Sequence, residues 1–248
     1  EMPIVTGYAQ CREGLMRRYD RGYSEVTFAR IAARTGAREA VIHKEFHLSS
    51  ADPRIVGEDR VVKIGRTNYD VADQLSNLGM EAVHPSAAKI LRQADIPLRV
   101  ANAFEPQDRG TLIAPAGEGE PRVEMVTALP LVALEVFEQD MVGVKGYDAA
   151  ILEALTRHDV WIVSKTSNAN TITHYVNAAL KAVNRVERQV AETYPAAEIT
   201  VRRVGMVCAV GACLAGLEVP LRGLEALSQA RIEALGVQSA GHQVDVQF

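Results

Sequence analysis

Two arginine-bearing loops carry side chains able to grip an anion, the alternative being that Arg21 and Arg54 are ordinary surface arginines. The first is Asp20-Arg21-Gly22, followed closely by Ser24, a residue type that caps helix starts. A guanidinium in a glycine-containing loop can hold a carboxylate through two parallel N–H donors, and a helix start beyond it also favours negative charge. The second is Ser50-Ala51-Asp52-Pro53-Arg54, beyond an apolar run at residues 40–42. Asp-Pro initiates a turn well, so this segment reads as a loop that presents Arg54. Between the two loops lie His43, Glu45 and His47. Their spacing is not that of the helical H-E-x-x-H motif and no third ligand is evident, so no metal site is expected. The chain has no G-x-x-x-x-G-K-[ST], which excludes a P-loop grip on phosphate. His84, directly before Pro85, reads as a structural residue at a helix start.

These loops need a frame, and the hydrophobic pattern supplies one. Residues 2–6 form a short apolar run ending at Gly7, a strand and its turn. A helix over 25–35 follows, with Phe28, Ile31, Ala32 and Thr35 on one face and Gly36 as its stop. Residues 40–42 make a strand, 71–78 a helix, and Pro85 opens another helix. Further strands are expected at 97–100 and 111–113. Strand, loop, helix, strand is the grammar of an α/β domain with a parallel sheet. Residues 114–121, rich in Ala, Gly, Pro and Glu, read as a linker.

Beyond it the order changes. A strand at 131–137, a helix at 147–157, strands at 160–163 and 171–176, a helix at 177–192 and a strand at 198–202 give β-α-β-β-α-β, a ferredoxin-like unit. A second such unit starts with a strand at 204–210, a helix at 221–235 and strands near Val237 and Val244. Ile151-Leu152-Glu153-Ala154-Leu155 is echoed by Gly223-Leu224-Glu225-Ala226-Leu227, a weak internal repeat. The domain reading is therefore 1–114, a linker at 115–121, a first ferredoxin-like unit at 122–203 and a second, truncated one at 204–248. Glu1 is not an initiator methionine, and the last residues alternate like an unclosed strand, so both ends read as cut.

The 248 residues are 48% apolar and 23% charged, ordinary for a globular protein, with net charge -4. That charge argues against a general nucleic-acid binder. No run of roughly 18 apolar residues exists to span a membrane. Three cysteines (Cys11, Cys208 and Cys213) are too few for a disulfide framework. Cys208 and Cys213 read as buried reduced thiols, which places the protein in the cytoplasm.

Four segments in order carry a family resemblance: Ser50-Ala51-Asp52-Pro53-Arg54, Leu78-Gly79-Met80-Glu81-Ala82-Val83-His84-Pro85, Ile96-Pro97-Leu98-Arg99-Val100 and Gly110-Thr111-Leu112-Ile113. They resemble the T-x-D-P-R, G-x-K-V-L-H-P, I-P and G-T-x-[IV] signatures of aspartate kinases in the amino-acid kinase superfamily. Asp20-Arg21-Gly22-Tyr23-Ser24-Glu25 resembles that family's aspartate-binding G-R-G-G-S-D segment. Tyr23 and Glu25 replace the usual Gly and Asp, and Glu81 stands where most members carry Lys. The variant is most similar to the aspartate kinases associated with ectoine biosynthesis.

The resemblance implies the C-terminal part of an amino-acid kinase domain followed by ACT domains. It implies transfer of the γ-phosphoryl group of ATP to the β-carboxylate of aspartate, with Mg²⁺ required. Thr6, Arg21, Ser24 and Glu25 would face aspartate, with Arg21 on its carboxylate and Glu25 on its ammonium group. Glu45, Asp52 and Arg54 would face the nucleotide. The family's opening K-x-G-G-T-S segment is absent, so this chain alone is expected to be inactive. In the ACT part, Asp140, Met141, Gly146, Tyr147, Asp148 and Asn168 are candidates to bind an amino-acid effector, the alternative being a plain connecting loop. Lysine-sensitive relatives tend to carry an Asp in the second ACT strand, where this chain has Ile162 and Val163, so weak or altered feedback by lysine or threonine is expected. A homodimer through the ACT units is implied. A regulatory ACT-bearing subunit is the alternative. A glutamate or acetylglutamate kinase is a third reading, opposed by the tandem ACT pattern.

Overall fold

The computed structural model describes residue 4 and residues 23–78, 83–115 and 120–248. Apart from residue 4, the strand expected at 2–6 lies outside them, as do the Asp20-Arg21-Gly22 loop and Cys11. The described chain divides into two compact units. One comprises Glu1–Thr127, Ala209–Val219 and Ala240–Val244, and the other Ala128–Cys208, Pro220–Ser239 and Asp245–Phe248.

In the first unit, helix α1 (Tyr23–Thr35) has Glu25 in its first turn and Arg34 in its last, each matching the sign of the helix dipole there. Gly36 follows at φ +60°. The buried face differs from the expected one. Ala29 and Ala32 face inward, while Ile31 is 36% exposed. The reason is the neighbour: α1 packs against α4 (Pro85–Gln93), whose buried face is also small, Ala87 and Ala88. Alanines on both sides let the backbones approach closely, and a larger residue between them would hold the helices apart. Strand β1 (Ala40–Lys44) follows α1, then the short helix α2 (Pro53–Val56) and strand β2 (Arg66–Asn68). Helix α3 (Tyr69–Asn77) is capped by Asn68, whose Oδ1 accepts the Val71 amide at 2.9 Å.

The sheet of this unit runs β1-β3-β4-β2, with β3 at Leu98–Asn102 and β4 at Thr111–Ala114. β1 and β3 are parallel, with Ala40 opposite Leu98 and Lys44 opposite Asn102; β2 and β4 are also parallel. β3 and β4 are antiparallel, so the sheet is mixed and not purely parallel. Their connection is too short for a crossover helix, which a parallel neighbour would need. Tyr69, Leu75, Leu91, Leu98, Val100 and Ile113 are fully buried around this sheet. The Tyr69 hydroxyl donates to the Ile96 carbonyl at 2.7 Å, so the buried phenol is satisfied.

A six-stranded sheet runs in the order β6-β7-β5-β8-β10-β9. Its strands are β5 (Arg122–Phe137), β6 (Trp161–Ser167), β7 (Thr171–Asn177), β8 (Glu198–Ala212), β9 (Gly236–Ser239) and β10 (Gln243–Gln247). Helices α5 (Tyr147–Arg157) and α6 (Leu180–Thr193) complete the β-α-β-β-α-β order. Leu134, Val136, Ile151, Leu155, Val176, Val183, Val186 and Val190 form one core. The spacing of Val183, Val186 and Val190 is the apolar stripe of a helix lying on a sheet. The two strands expected at 198–202 and 204–210 are one strand that continues through Arg203, and within it Gly205 pairs with Phe248 through both backbone bonds, at 2.7 and 2.9 Å. Helix α7 (Val219–Gln229) ends before the expected 235. Arg231 turns to φ 58° there, and the Ile232 amide returns to the Leu227 carbonyl at 2.9 Å, a Schellman-type stop without glycine. Cys208 is buried as expected, while Cys213 is exposed in the turn after β8.

Gly110 sits at φ +69°, and a methyl group there would overlap the Val100 carbonyl oxygen of the adjacent strand. Gly110→Ala is therefore expected to destabilise the fold by at least about 2 kcal/mol, combining a left-handed backbone with a steric clash. Urea unfolding of the two proteins measures it.

Candidate active site and ligand pocket

The loop residues Thr6 and Arg21 lie outside the described residues. α1 is already helical at Tyr23, so Ser24 lies within its first turn and is not the expected cap; Glu25, in the same turn, is held from two sides. Its Oε1 accepts from Lys44 Nζ at 2.7 Å, and its Oε2 accepts from the His84 backbone amide at 2.6 Å. Both side chains of the ion pair are about four-fifths buried, with 19% of Glu25 and 22% of Lys44 exposed. Lys44 is the last residue of β1, and His84 precedes α4. One carboxylate thus ties the start of α1 to the end of a strand and the start of a second helix. His84 caps α4 itself, its Nδ1 accepting the Ser86 amide at 3.2 Å. The expected contact between Glu25 and a substrate ammonium finds both carboxylate oxygens already engaged. Neither Lys44 nor the His84 amide was singled out in the sequence. The signal for Lys44 was its place at the carboxyl end of a strand, where ligands gather in α/β sheets.

Of the nucleotide-side residues, Glu45 is exposed in the turn after β1. Asp52 caps α2: its Oδ1 accepts the Arg54 amide at 2.9 Å and Arg54 Nε at 3.1 Å, and its Oδ2 accepts Arg54 Nη2 at 2.8 Å. The guanidinium beside it holds the Asp52 carboxyl below the usual carboxylate range. The Arg54 side chain is 88% exposed, so its outward N–H groups remain available to a phosphate. The structure brings Asp52 and Arg54 together.

A second site lies in the other unit. A cavity of about 290 Å³ opens between the loop before α5 and the β6–β7 turn, lined by Met141, Gly146, Tyr147, Asp148, Ser167 and Asn168 among others. Asp140 is in the 3₁₀ turn next to it but does not line it. Gly146, at φ +105°, starts α5 without any side-chain cap, leaving the first helical amides unclaimed by a side chain. Asn168 Oδ1 is occupied within its own turn by the Asn170 and Thr171 amides, at 3.1 and 2.9 Å. The Tyr147 ring stacks on Tyr194 with centroids 4.2 Å apart.

Asp148 has two neighbours that the sequence reading missed. Lys165 Nζ donates to its Oδ2 at 2.6 Å, and His174 Nε2 lies 3.4 Å from its Oδ1 without hydrogen-bond geometry. Lys165 on β6 is directly opposite His174 on β7, so both point to the helix face of the sheet. Two polar residues in register on adjacent strands, on the face that carries Ile172 and Val176, were the available signal. His174 is fully buried, and burial lowers its pKa to about 4; Asp148 opposes that shift and Lys165 adds to it.

No helix among the described residues is long and apolar enough to cross a membrane. The amino acid kinase family model matches residues 1–102. Aspartate kinase Ask_Ect of Stutzerimonas stutzeri strain A1501 is 52% identical over 249 aligned residues, covering 100% of this chain and 52% of that protein. The aspartokinase of Candida albicans is 29% identical over 175 residues, covering 70% of the chain and 31% of its own length. The chain spans about half the length of the first relative and about a third of the second. Among solved structures, Clostridium acetobutylicum aspartate kinase superposes with a TM-score of 0.78 at 19% identity, over 92% of this chain and 55% of that one. E. coli aspartokinase III, in complex with lysine and aspartate, gives 0.75 at 18%, over 92% and 52%. At these identities the superpositions establish the fold alone.

His174 predicts a pH dependence. Its folded pKa is below the ordinary 6.5, so between about pH 6.5 and pH 4 the unfolded chain binds the extra proton. The stability due to its neutral burial is complete above pH 6.5 and is lost as pH falls towards 4, by up to about 3 kcal/mol. Chemical denaturation across that range checks it, and His174→Gln is expected to flatten the slope.

Proposed function

We propose that the chain belongs to the amino acid kinase family and that the protein is an aspartate kinase of the ectoine-associated type. The observation that carries the reading is the 52% identity to an aspartate kinase along the entire chain. The name of that relative, Ask_Ect, supports the type, as do Tyr23 and Glu25 in the substrate segment. The match of residues 1–102 to the kinase family weighs against a free-standing regulatory subunit.

In this reading a β-carboxylate oxygen of aspartate attacks the γ-phosphorus of ATP. The bond to the β,γ-bridging oxygen breaks, ADP leaves, and 4-phospho-aspartate forms. Two anions must meet, so catalysis is positioning plus charge neutralisation. Mg²⁺, when bound, neutralises phosphate charge, and the carboxylates of Glu45 and Asp52 are oxygen donors of the kind it accepts. Arg21 grips the carboxylate of aspartate, with Thr6 and Ser24 beside it. Glu25 serves the site through its frame: the two bonds to Lys44 and the His84 amide tie the first turn of α1 to the end of β1 and the start of α4. Arg54, oriented by Asp52, offers its free N–H groups to phosphate. The domain boundaries of this reading are 1–114 for the kinase part, 122–203 for the first ACT unit and 204–248 for the second. A cytoplasmic setting fits the unpaired Cys208 and Cys213. A homodimer through the ACT units fits the sheet edge at β6, where Trp161 is 63% exposed.

The cavity beside Asp148 is the effector site in this reading. A cationic effector needs a carboxylate, and the carboxylate here is already paired with Lys165. Ile162 and Val163 offer no substitute. The pocket therefore suits an amino acid with an uncharged side chain, its carboxylate on the uncapped start of α5.

Two measurements test this. Hydroxylamine trapping of acyl phosphate, using the protein from its full reading frame, is expected to show ATP- and aspartate-dependent turnover that Arg21→Ala lowers at least about 100-fold. Turnover with glutamate but not aspartate would overturn the assignment. Calorimetry is expected to show no micromolar lysine binding to the unmodified protein. Lys165→Met, which frees Asp148, is expected to tighten lysine binding about tenfold.

A further inference from the structure

The carboxyl ends of the adjacent parallel strands β1 and β3 bring together three side chains from two loops. His47 comes from the loop after β1, and Glu105 and Asp108 come from the loop after β3. Each can offer one ligand atom, and these atoms all lie within 4.8 Å of one another. The loops are locked for this. The Ala103 amide donates to the Lys44 carbonyl at 2.8 Å, joining the two strand ends. The Asp108 amide donates to the Glu105 carbonyl at 2.9 Å, a turn that sets the two carboxylates on one side.

Each carboxylate is also oriented from behind. Asn102 Nδ2 donates to Glu105 Oε1 at 3.0 Å, leaving Oε2 towards His47 Nε2 at 3.2 Å. The Gly110 amide donates to Asp108 Oδ1 at 2.6 Å. The His47 ring is held between them, and neither of its nitrogens has a properly aligned hydrogen-bond partner among the described residues. Buried imidazole nitrogens normally have one. The positive charge at the site comes from Lys63, whose ammonium pairs with Asp108. Lys63 is placed there by the antiparallel bridge between Ser49 and Lys63.

We propose that His47, Glu105 and Asp108 form a binding site for a divalent transition-metal ion, with the Lys63 ammonium standing where the ion would otherwise supply the charge. One imidazole and two carboxylates, with room for water at the exposed side, suit Zn²⁺, Co²⁺ or Mn²⁺ better than Mg²⁺, which avoids nitrogen ligands. Asn102 and the Gly110 amide are the outer supports that fix the ligands' orientation. The site needs no part of the phosphotransfer reading, since its three ligands are not among the residues assigned to aspartate or ATP. Lys63 makes it conditional: a metal must displace the ammonium, so affinity depends on how firmly that lysine is held.

Titration of the purified protein with Co²⁺, read by visible absorbance, and competition by Zn²⁺ test the proposal. One saturable site is expected. His47→Gln should weaken it at least about 100-fold and Asn102→Ala about tenfold. Lys63→Met should tighten it about tenfold, a gain that misfolding cannot produce. Millimolar Mg²⁺ should not compete. Absence of saturable Co²⁺ binding, binding unchanged in His47→Gln, or looser binding in Lys63→Met would each overturn the proposal and leave two ordinary ion pairs closing the loops. Displacement by Mg²⁺ would overturn the assigned class of metal.

Discussion

The carboxylate of Glu25 is the point on which the kinase part of the molecule turns. It accepts from Lys44 and from the His84 amide, and so joins the first turn of α1, the end of β1 and the start of α4. Hydrogen bonds to a charged group contribute roughly 1.5–3 kcal/mol each when sheltered from water, and this pair is mostly sheltered. The alanine contact between α1 and α4 sets how near the helices come, and Glu25 sets their ends. Of the residues proposed to hold aspartate, Ser24 lies in the first turn of α1 and Arg21 precedes it by three positions in the sequence. A loop that must present a guanidinium to within hydrogen-bond reach needs such a fixed base.

The outline of the fold was legible because its signals are local. The α5 helix was expected at 147–157, and the structure has it at Tyr147–Arg157. Apolar spacing likewise placed α6 and the strands 111–113 and 171–176 to within a few residues. The errors came where tertiary contacts decide. Phe28 and Ile31 were expected beside Ala32 on the inner face of α1; Ala32 is buried there, but Ala29 is the other buried residue, because the close neighbour α4 admits small residues. A break was expected at Arg203, between strands 198–202 and 204–210, yet β8 runs through it unbroken.

The sites divide in the same way. Asp52 and Arg54 could be read as a turn from Asp-Pro alone, and the turn is there with its cap. Met141, Gly146, Tyr147, Asp148 and Asn168 were grouped through the ACT resemblance, and they share a cavity that Asp140, grouped with them, does not line. What sequence could not supply was the charge balance across elements. Lys165 reaches Asp148 from a strand 17 residues away in the chain, and Lys63 reaches Asp108 across 45. In both places a built-in ammonium neutralises the carboxylate that a ligand would seek. That common arrangement makes the choice of ligand a matter of competition with a lysine, which no single motif records.

The most direct test of this account is the effect of Glu25→Gln on the protein from its full reading frame, measured as kcat/KM for aspartate together with the thermal unfolding midpoint. If Glu25 builds the frame that presents Arg21, both quantities fall together, kcat/KM by about 10–100-fold. A rise in the aspartate KM with an unchanged unfolding midpoint would show that Glu25 touches the substrate itself, and would contradict the account.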